Sequence, residues 1–338
     1  ERAAHVFFPG GTFFAQSLTY MRGVGLDYRT LGATGIRVSR LCFGVLTMGP
    51  LQQNLGINEG AGLIDYAIGQ GINFFDTAES YLTYPYIKEA LLNSEQKPVI
   101  ASKSYAYTWE DMKHSVQKAR DEMELPMIDI FLLHEQENEL TLEGHKPALE
   151  YLIHAKKAGL IKAIGLSTHA VAGVMAGAEC PDIEIIHPLI NQAGLGIIDG
   201  TAQTMTAAIA YAAVRGKGVY AMKTLGGGNL IGRAYSAFRF VDRLLPIASM
   251  AMGMKSRDEI DLNLAWIAGK RRPDLEEKVG RAKRRLIIEP WCTGCGACAE
   301  NCRYQALLVN EQATVEPEKC ILCGYCAGYC KDFCIKIV

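Results

Sequence analysis

The chain reads as an α/β protein, a (β/α)8 barrel of the TIM type followed by a small α+β module. Three observations point there. Between Leu41 and Trp266, eight short β-rich runs alternate with stretches of helical spacing. Those runs are apolar on both faces, as strands of a parallel sheet are when helices cover it. Nine of the 11 cysteines fall between Cys292 and Cys334, which sets the last fifty residues apart.

Taken in order, residues 1–26 form an N-terminal extension outside the fold, with Met21 as the native start. YRTLGATGIRVS (28–39) predicts a hairpin turning at Thr34-Gly35 that plugs the barrel floor. The eight strand runs are LCFGVL (41–46), INFFDT (72–77), PVIASK (98–103), DIFLLH (129–134), IKAIGLS (161–167), IEIIHPLI (183–190), GVYAMKT (218–224) and IASMAMG (247–253). Between them lie helical stretches such as 109–125, 147–159 and 201–214. Thr108 with Asp111, and Ser256 with Glu259, have the form of capping boxes. The seventh unit is the weakest, because 226–245 has poor helical periodicity. Eight such units in about 250 residues match a barrel better than an open sheet. The barrel is therefore bounded at 27–268. Residues 269–285 form a linker with eight basic residues against three acidic ones over 270–285. That linker reads as a solvated helix or as a docking surface for an acidic partner. Residues 286–338 are the second domain, with small strands expected at 286–289, 306–309 and 335–338.

With 338 residues, 49% of them hydrophobic, the chain can bury a full core. Its formal charge of −1 gives no general basic field for nucleic acid or acidic membranes. No apolar run approaches the roughly 18 residues of a membrane span. The first twenty residues lack the form of a signal peptide, so the expected location is a reducing cytoplasm.

Two cysteine motifs share one spacing: Cys292-x2-Cys295-x2-Cys298-x3-Cys302 and Cys320-x2-Cys323-x2-Cys326-x3-Cys330. Loops this tight wrap three thiolates around three corners of an iron–sulfur cube, and a distant fourth completes it. Zinc needs four ligands per site and gains nothing from the third closely spaced cysteine. The motifs form a 28-residue internal repeat that sets Cys334 opposite Ala306, so Cys334 reads as a packed thiol. This region resembles bacterial-type ferredoxins with two [4Fe–4S] clusters, in which the fourth ligand comes from the other motif. The resemblance implies Cys292, Cys295, Cys298 and Cys330 on one cluster, and Cys302, Cys320, Cys323 and Cys326 on the other. Arg303 and Lys331 stand where that family usually has proline.

Active sites of these barrels lie at the C-terminal ends of the strands. Asp76, Lys103 and His134 end the second, third and fourth runs, and Tyr81 follows Asp76 by five residues. Reducing a carbonyl by hydride requires a proton donor as the alkoxide forms, and a tyrosine hydroxyl serves if a cation lowers its pKa. FFDTAESY (74–81), VIASK (99–103), DIFLLH (129–134), IKAIGLST and the opening YRTLGATGIRVSRLCFG resemble the aldo-keto reductase family over about residues 27–268. The resemblance implies Tyr81 as the acid, Lys103 paired with Asp76 as the tuning cation, and His134 as a hydrogen-bond donor to the substrate oxygen. Tyr81 is followed by LTYPY rather than Gly and Glu, which makes Tyr84 and Tyr86 candidate substitutes.

The same resemblance implies the cofactor contacts. Ser167, Thr168, His187 and Asn191 would surround the nicotinamide carboxamide, with Met222 against the ring and Lys223 as a further cofactor contact. Gly253, Lys255, Ser256 and Arg257 would receive a 2′-phosphate at a helix N-terminus, favouring NADP(H) over NAD(H), and Glu259 and Asn263 would lie near the adenine. Joined to clusters, such a barrel meets a mismatch: a hydride carries two electrons, whereas each cluster accepts one. A flavin, within the barrel or on a partner flavoprotein or other redox partner, would resolve it. The expected function is an NAD(P)H-linked oxidoreductase acting on a small carbonyl or alcohol, with an attached electron-transfer module. The alternative is an electron-transfer subunit whose barrel serves docking or nucleotide sensing.

Overall fold

The structure, a computed structural model, describes residues 26–92 and 94–338. The expected extension before Leu26, with the start at Met21, lies outside them. Strands β1 (Tyr28–Thr30) and β2 (Arg37–Ser39) pair antiparallel, as the hairpin reading required. Gly35 at its turn has φ +72°, where a side chain would be strained. Leu31, Ile36 and Val38 of the hairpin pack with Cys42, Phe74, Ile130, Ile185 and Tyr220 inside the barrel, so the hairpin does plug one end.

Eight parallel strands close into a barrel: β3 (Leu41–Gly44), β4 (Phe74–Asp76), β5 (Val99–Ser104), β6 (Ile128–Leu133), β7 (Ile161–Thr168), β8 (Ile185–Pro188), β9 (Gly218–Ala221) and β10 (Ser249–Gly253). Closure comes from β10 pairing with β3, with Met250 opposite Leu41 and Gly253 opposite Gly44. All eight expected runs are strands. Around them lie α1 (Ile57–Gly69), α2 (Tyr84–Leu91), α3 (Trp109–Met123), α4 (Glu139–Gly144), α5 (Lys146–Lys157), α6 (Val171–Glu179), α7 (Ala202–Val214), α8 (Ala234–Asp242) and α9 (Arg257–Ile267). The weak seventh unit does carry a helix, α8, which buries Ala237, Phe238 and Val241. The main apolar core lies between strands and helices.

Thr108 and Ser256 do cap α3 and α9, accepting the backbone N–H of Asp111 and of Glu259. Neither forms the reciprocal box, because Asp111 takes the Thr108 hydroxyl proton and Glu259 takes the Lys255 N–H. Reciprocal boxes occur instead at Asn138–Thr141 and Thr201–Thr204.

The linker contains α10 (Pro273–Gly280), a largely exposed helix that buries Leu275, as the solvated-helix reading expected. Its cations pair locally: Arg271 with Glu276, Arg272 with Asp274, Lys278 with Asp258 and Arg281 with Glu277. The C-terminal module holds β11 (Leu286–Ile288) paired with β14 (Ile335–Ile337), β12 (Leu307–Val309) paired with β13 (Ala313–Val315), and the short α11 (Ala297–Glu300). Strand β13 is the one that the sequence pattern did not reveal. The internal repeat is visible in the backbone. Left-handed φ recurs 28 residues apart, at Gly294 and Leu322, at Gly296 and Gly324, and at Gln305 and Phe333.

The module docks on the barrel through the loop after β9. Ile337 N–H donates to the Gly227 carbonyl at 3.0 Å, and Asn229 Nδ2 donates to the Ile335 carbonyl at 2.9 Å. A Cβ on Gly228 would lie 1.8 Å from the Ile337 carbonyl oxygen, so this close approach needs glycine. Phe333 packs with Leu189 and Met222. Among the described residues, no helix is long and apolar enough to cross a membrane.

Candidate functional site

The C-terminal ends of β4, β5 and β6 bring Asp76, Lys103 and His134 together, with Tyr81 in the short turn after β4. Lys103 Nζ donates to Asp76 Oδ1 and to the Thr77 carbonyl, each at 2.7 Å. Its Nζ lies 4.8 Å from the centroid of the Tyr81 ring. The Tyr81 and His134 rings meet edge to face, with centroids 5.9 Å apart. The four residues expected to act together are therefore together.

Burial dominates the electrostatics of the Tyr81 hydroxyl. It raises the pKa well above the usual value, and Asp76 and Glu135 add to the effect. The Lys103 ammonium is shared between Asp76 and a carbonyl, and the Tyr81 ring stands beside it. The His134 imidazole is held well below its ordinary pKa by burial and then by Lys103, so it is neutral. Its Nδ1 is buried without a hydrogen-bond partner, and the Tyr105 ring stacks on it at 4.1 Å.

Asp76 has a second partner that sequence reasoning missed. Tyr220 on β9 donates its hydroxyl to Asp76 Oδ2 at 2.9 Å, and His187 Nε2 lies 3.7 Å from the same oxygen. Strand alternation in GVYAMKT places Tyr220 inward, but only barrel closure brings it to Asp76. His187 stacks on the Tyr220 ring and bonds its carbonyl through Nδ1. Burial lowers the His187 pKa to about 4.

A cavity of about 570 Å³ opens beside these groups. It runs from Asp76, Tyr81 and His187, past Met222, Lys223, Thr224 and the 227–228 glycines, to Gly253, Lys255, Glu259 and Asn263. Gly253 has to be glycine there, since a Cβ would lie 1.8 Å from Thr47 Oγ1, itself on the wall. Arg284 from the linker and Lys336 from the C-terminal module also line the cavity, and neither was expected. Arg284 approaches Glu259 at 4.0 Å, and burial raises the Glu259 carboxyl above its ordinary range.

Other expected contacts are not brought to this cavity. Ser167 Oγ accepts the Glu135 N–H, and Thr168 Oγ1 accepts the Ala170 N–H. Asn191 spends its amide on the backbone of Ala193 and Leu195. Ser256 is occupied as the α9 cap, and Arg257 lies over the Tyr66 ring instead. Ser167, Thr168, Asn191 and Ser256 thus each bond nearby backbone. Tyr84 and Tyr86 are not substitutes for Tyr81. Both are buried on α2, bonded to Ser102 Oγ and to the Leu55 carbonyl.

In the C-terminal module, Cys292, Cys295, Cys298 and Cys330 line one small cavity, together with Cys334. Around Cys326 the neighbours are Cys323, Cys298, Cys320 and Cys302, which with burial push its thiol up to about 12. Backbone N–H groups point at the sulfurs: Ala306 to Cys302, Cys334 to Cys330 and Ala313 to Cys292. The first two are equivalent positions of the repeat, so Cys334 serves the same turn as Ala306 through its backbone. Among the described residues, no group of three or more His, Cys, Asp or Glu is close enough to hold a single metal ion.

The model of the Aldo/keto reductase family matches residues 40–260. YrpG of Bacillus subtilis, described as an uncharacterized oxidoreductase, is 28% identical over 234 residues, covering 62% of this chain and 69% of that protein. Among solved structures, the PA4992 aldo-keto reductase of Pseudomonas aeruginosa superposes with a TM-score of 0.62 at 25% identity, covering 72% of this chain and 94% of that one. The aldo-keto reductase AKR11C1 of Bacillus halodurans, in its holo form, gives 0.61 at 17% identity, covering 76% and 97%, and supports the fold alone. With a matched segment spanning most of the barrel and the Asp-Tyr-Lys-His cluster at its mouth, the chain belongs to the aldo/keto reductase family of oxidoreductases.

Proposed function

We propose that the chain is an NAD(P)H-linked oxidoreductase of a small carbonyl/alcohol pair, and that its C-terminal module carries two [4Fe–4S] clusters. The observation carrying the first part is the single cavity that joins Asp76 and Tyr81 to Lys255 and Asn263. An extended dinucleotide fits such a path, with its reactive end at the catalytic residues. Lys255 and Arg284 near the α9 N-terminus favour NADP(H) over NAD(H). Met222, Lys223, Gly253, Glu259 and Asn263 would flank the cofactor, and His187 would stand at its catalytic end.

Nicotinamide supplies the hydride when bound. Tyr81, kept protonated by burial, gives its proton to the substrate oxygen as negative charge develops there. Lys103, held by Asp76, places a positive charge beside that oxygen and stabilises the tyrosinate left behind. Neutral His134 offers a ring N–H that orients the oxygen. Tyr220 and Lys103 together fix both oxygens of Asp76, so the carboxylate cannot swing into the site.

The cysteines fit the cluster assignment. Four of the five cysteines lining the small cavity are those expected on one cube, and Cys302, Cys320 and Cys323 neighbour Cys326. A cube spreads its thiolates around a body rather than a point, so spacing too wide for one ion is the spacing it needs. The N–H···S contacts supply the hydrogen bonds that tune such thiolates. Bound clusters would supply one-electron carriers. The two-electron hydride then calls for a flavin, on a partner flavoprotein or within the barrel.

The test is anaerobic assay of iron-loaded protein with NADPH and a carbonyl panel, comparing wild type, Tyr81→Phe and Lys103→Met. Loss of carbonyl reduction by about 10² or more in both variants, with NADPH binding kept, is expected. Unchanged rates would overturn the mechanism. Cluster absorbance followed in the same cuvette reports whether NADPH oxidation and cluster reduction are linked.

A further inference from the structure

Two lysines in the cavity, Lys336 without an assigned task and Lys223 expected only to flank the cofactor, stand out by their burial. Lys223 follows β9 with φ +60°, a left-handed conformation that costs a non-glycine residue free energy. Lys336 sits in the middle of β14, between two isoleucines, and is only 4% exposed. Both line the same cavity as Asp76 and Tyr81. Among the described residues, neither ammonium takes part in an ion pair. Lys336 Nζ donates to the Phe333 carbonyl and rests over the Phe333 ring, 3.1 Å from its centroid. Thr224, beside Lys223 on the wall, has a buried hydroxyl without a partner.

Burying one cation without a counter-charge is costly, and burying two near each other is costlier. Each lysine is held below its ordinary pKa by burial, and Lys223 depresses Lys336 further, to about 6. The acidic groups within electrostatic reach, Asp76, Glu135 and Glu289 with the Cys330 and Cys334 thiols, form no ion pair with either lysine among the described residues. Asp76 is engaged by Lys103 and Tyr220, and Glu135 and Glu289 offset the charge only in part and at a distance. The imidazoles facing this end, His134, His169 and His187, are all neutral through burial.

We propose that Lys223 and Lys336, with the Thr224 hydroxyl, form a subsite for the anionic oxygens of the substrate, so that the carbonyl compound reduced here carries a carboxylate or phosphate. This rests on the carbonyl reading above and narrows it to a substrate class. Lys336 lies outside the matched barrel, so the C-terminal module itself takes part in choosing the substrate. The pyrophosphate of the dinucleotide is the other anion able to reach these lysines, and the experiment separates the two.

Matched probes differing only in charge give the readout: 4-carboxybenzaldehyde and phenylglyoxylate, each against its methyl ester. Binding to the full, iron-loaded chain is measured by calorimetry, and kcat and KM by NADPH consumption, for wild type, Lys336→Met and Lys336→Gln. The methionine variant keeps the stem that packs on Gly227, and a thermal melt checks its fold. The expected result is that wild type prefers at least one acid over its ester. Either variant should lose that preference by about 10- to 100-fold, mainly through KM, as removal of one charge-assisted hydrogen bond implies. Equal handling of acid and ester by wild type, or a preference unaltered in both variants, overturns the proposal. A weaker NADPH affinity with the acid preference intact assigns the lysines to the cofactor and overturns it too. Acid binding without turnover would keep the subsite while refuting the carbonyl-reductase reading, so the two fail separately.

Discussion

Replacing Lys103 by methionine is the perturbation whose size follows most directly from the structure. Lys103 and Asp76 form an ion pair at 2.7 Å, and their side chains are 1% and 7% exposed. Removing one member leaves a buried carboxylate with only the Tyr220 hydroxyl and a neutral imidazole nearby. Breaking a buried pair in this way costs about 3–5 kcal/mol, whereas replacing both members by neutral groups costs far less. Lys103→Met should therefore lower the unfolding midpoint by roughly 10 °C, and the double variant with Asp76→Asn should recover most of it. A thermal or urea double-mutant cycle reads the coupling as about 3 kcal/mol. A coupling below about 0.5 kcal/mol would refute the reasoning, since the two charges would not then be sharing one desolvated site.

Gly253→Ala should narrow the cavity through the clash with Thr47, weakening NADPH binding about tenfold or more in a fluorescence titration, with recovery on adding Thr47→Gly. The His187 pKa of about 4 lies below its unfolded value near 6.5, so between those pH values the unfolded chain binds the extra proton. Stability present above pH 6.5 is then lost as pH falls toward 4. In melts across that window His187→Gln should show a shallower slope than wild type. Cys330→Ala should lower the iron content per chain, whereas Cys334→Ala should leave it unchanged in a colorimetric iron assay. Gly228→Ala should loosen the module from the barrel, seen as faster proteolytic cleavage near residues 280–285.

The strands were legible because each is a short run apolar on both faces, and a covered parallel sheet demands that pattern. Asp76, Lys103 and His134 stood out for a related reason, as charged or polar residues ending apolar runs. Tyr220 did not stand out, because an inward tyrosine in a strand looks like core until closure sets it against Asp76. Lys336 carried a signal that went unused: a charge centred in the apolar strand IKI has to be neutralised or put to work. Ser167, Thr168 and Asn191 show the opposite ambiguity. Their polar atoms satisfy nearby backbone, and sequence spacing cannot tell a turn-maker from a ligand-binder. The linker's exposed helix was legible from its charge, whereas the one-to-one pairing of Arg271, Arg272, Lys278 and Arg281 with acids was not.

The cavity walls come from widely separated parts of the chain: Asp76 and Tyr81 early, Lys255 and Arg284 late, and Lys336 and Ile337 after everything in the barrel. Domains tend to fold in the order they are synthesised. A barrel that has just left the ribosome can close its eight strands while one wall of its cavity is still untranslated or unfolded. Its ligand site is therefore finished only when the module folds and reaches the glycine loop at 226–228. Failure to complete that last step would yield a closed barrel whose cavity lacks the wall formed by Lys336 and Ile337.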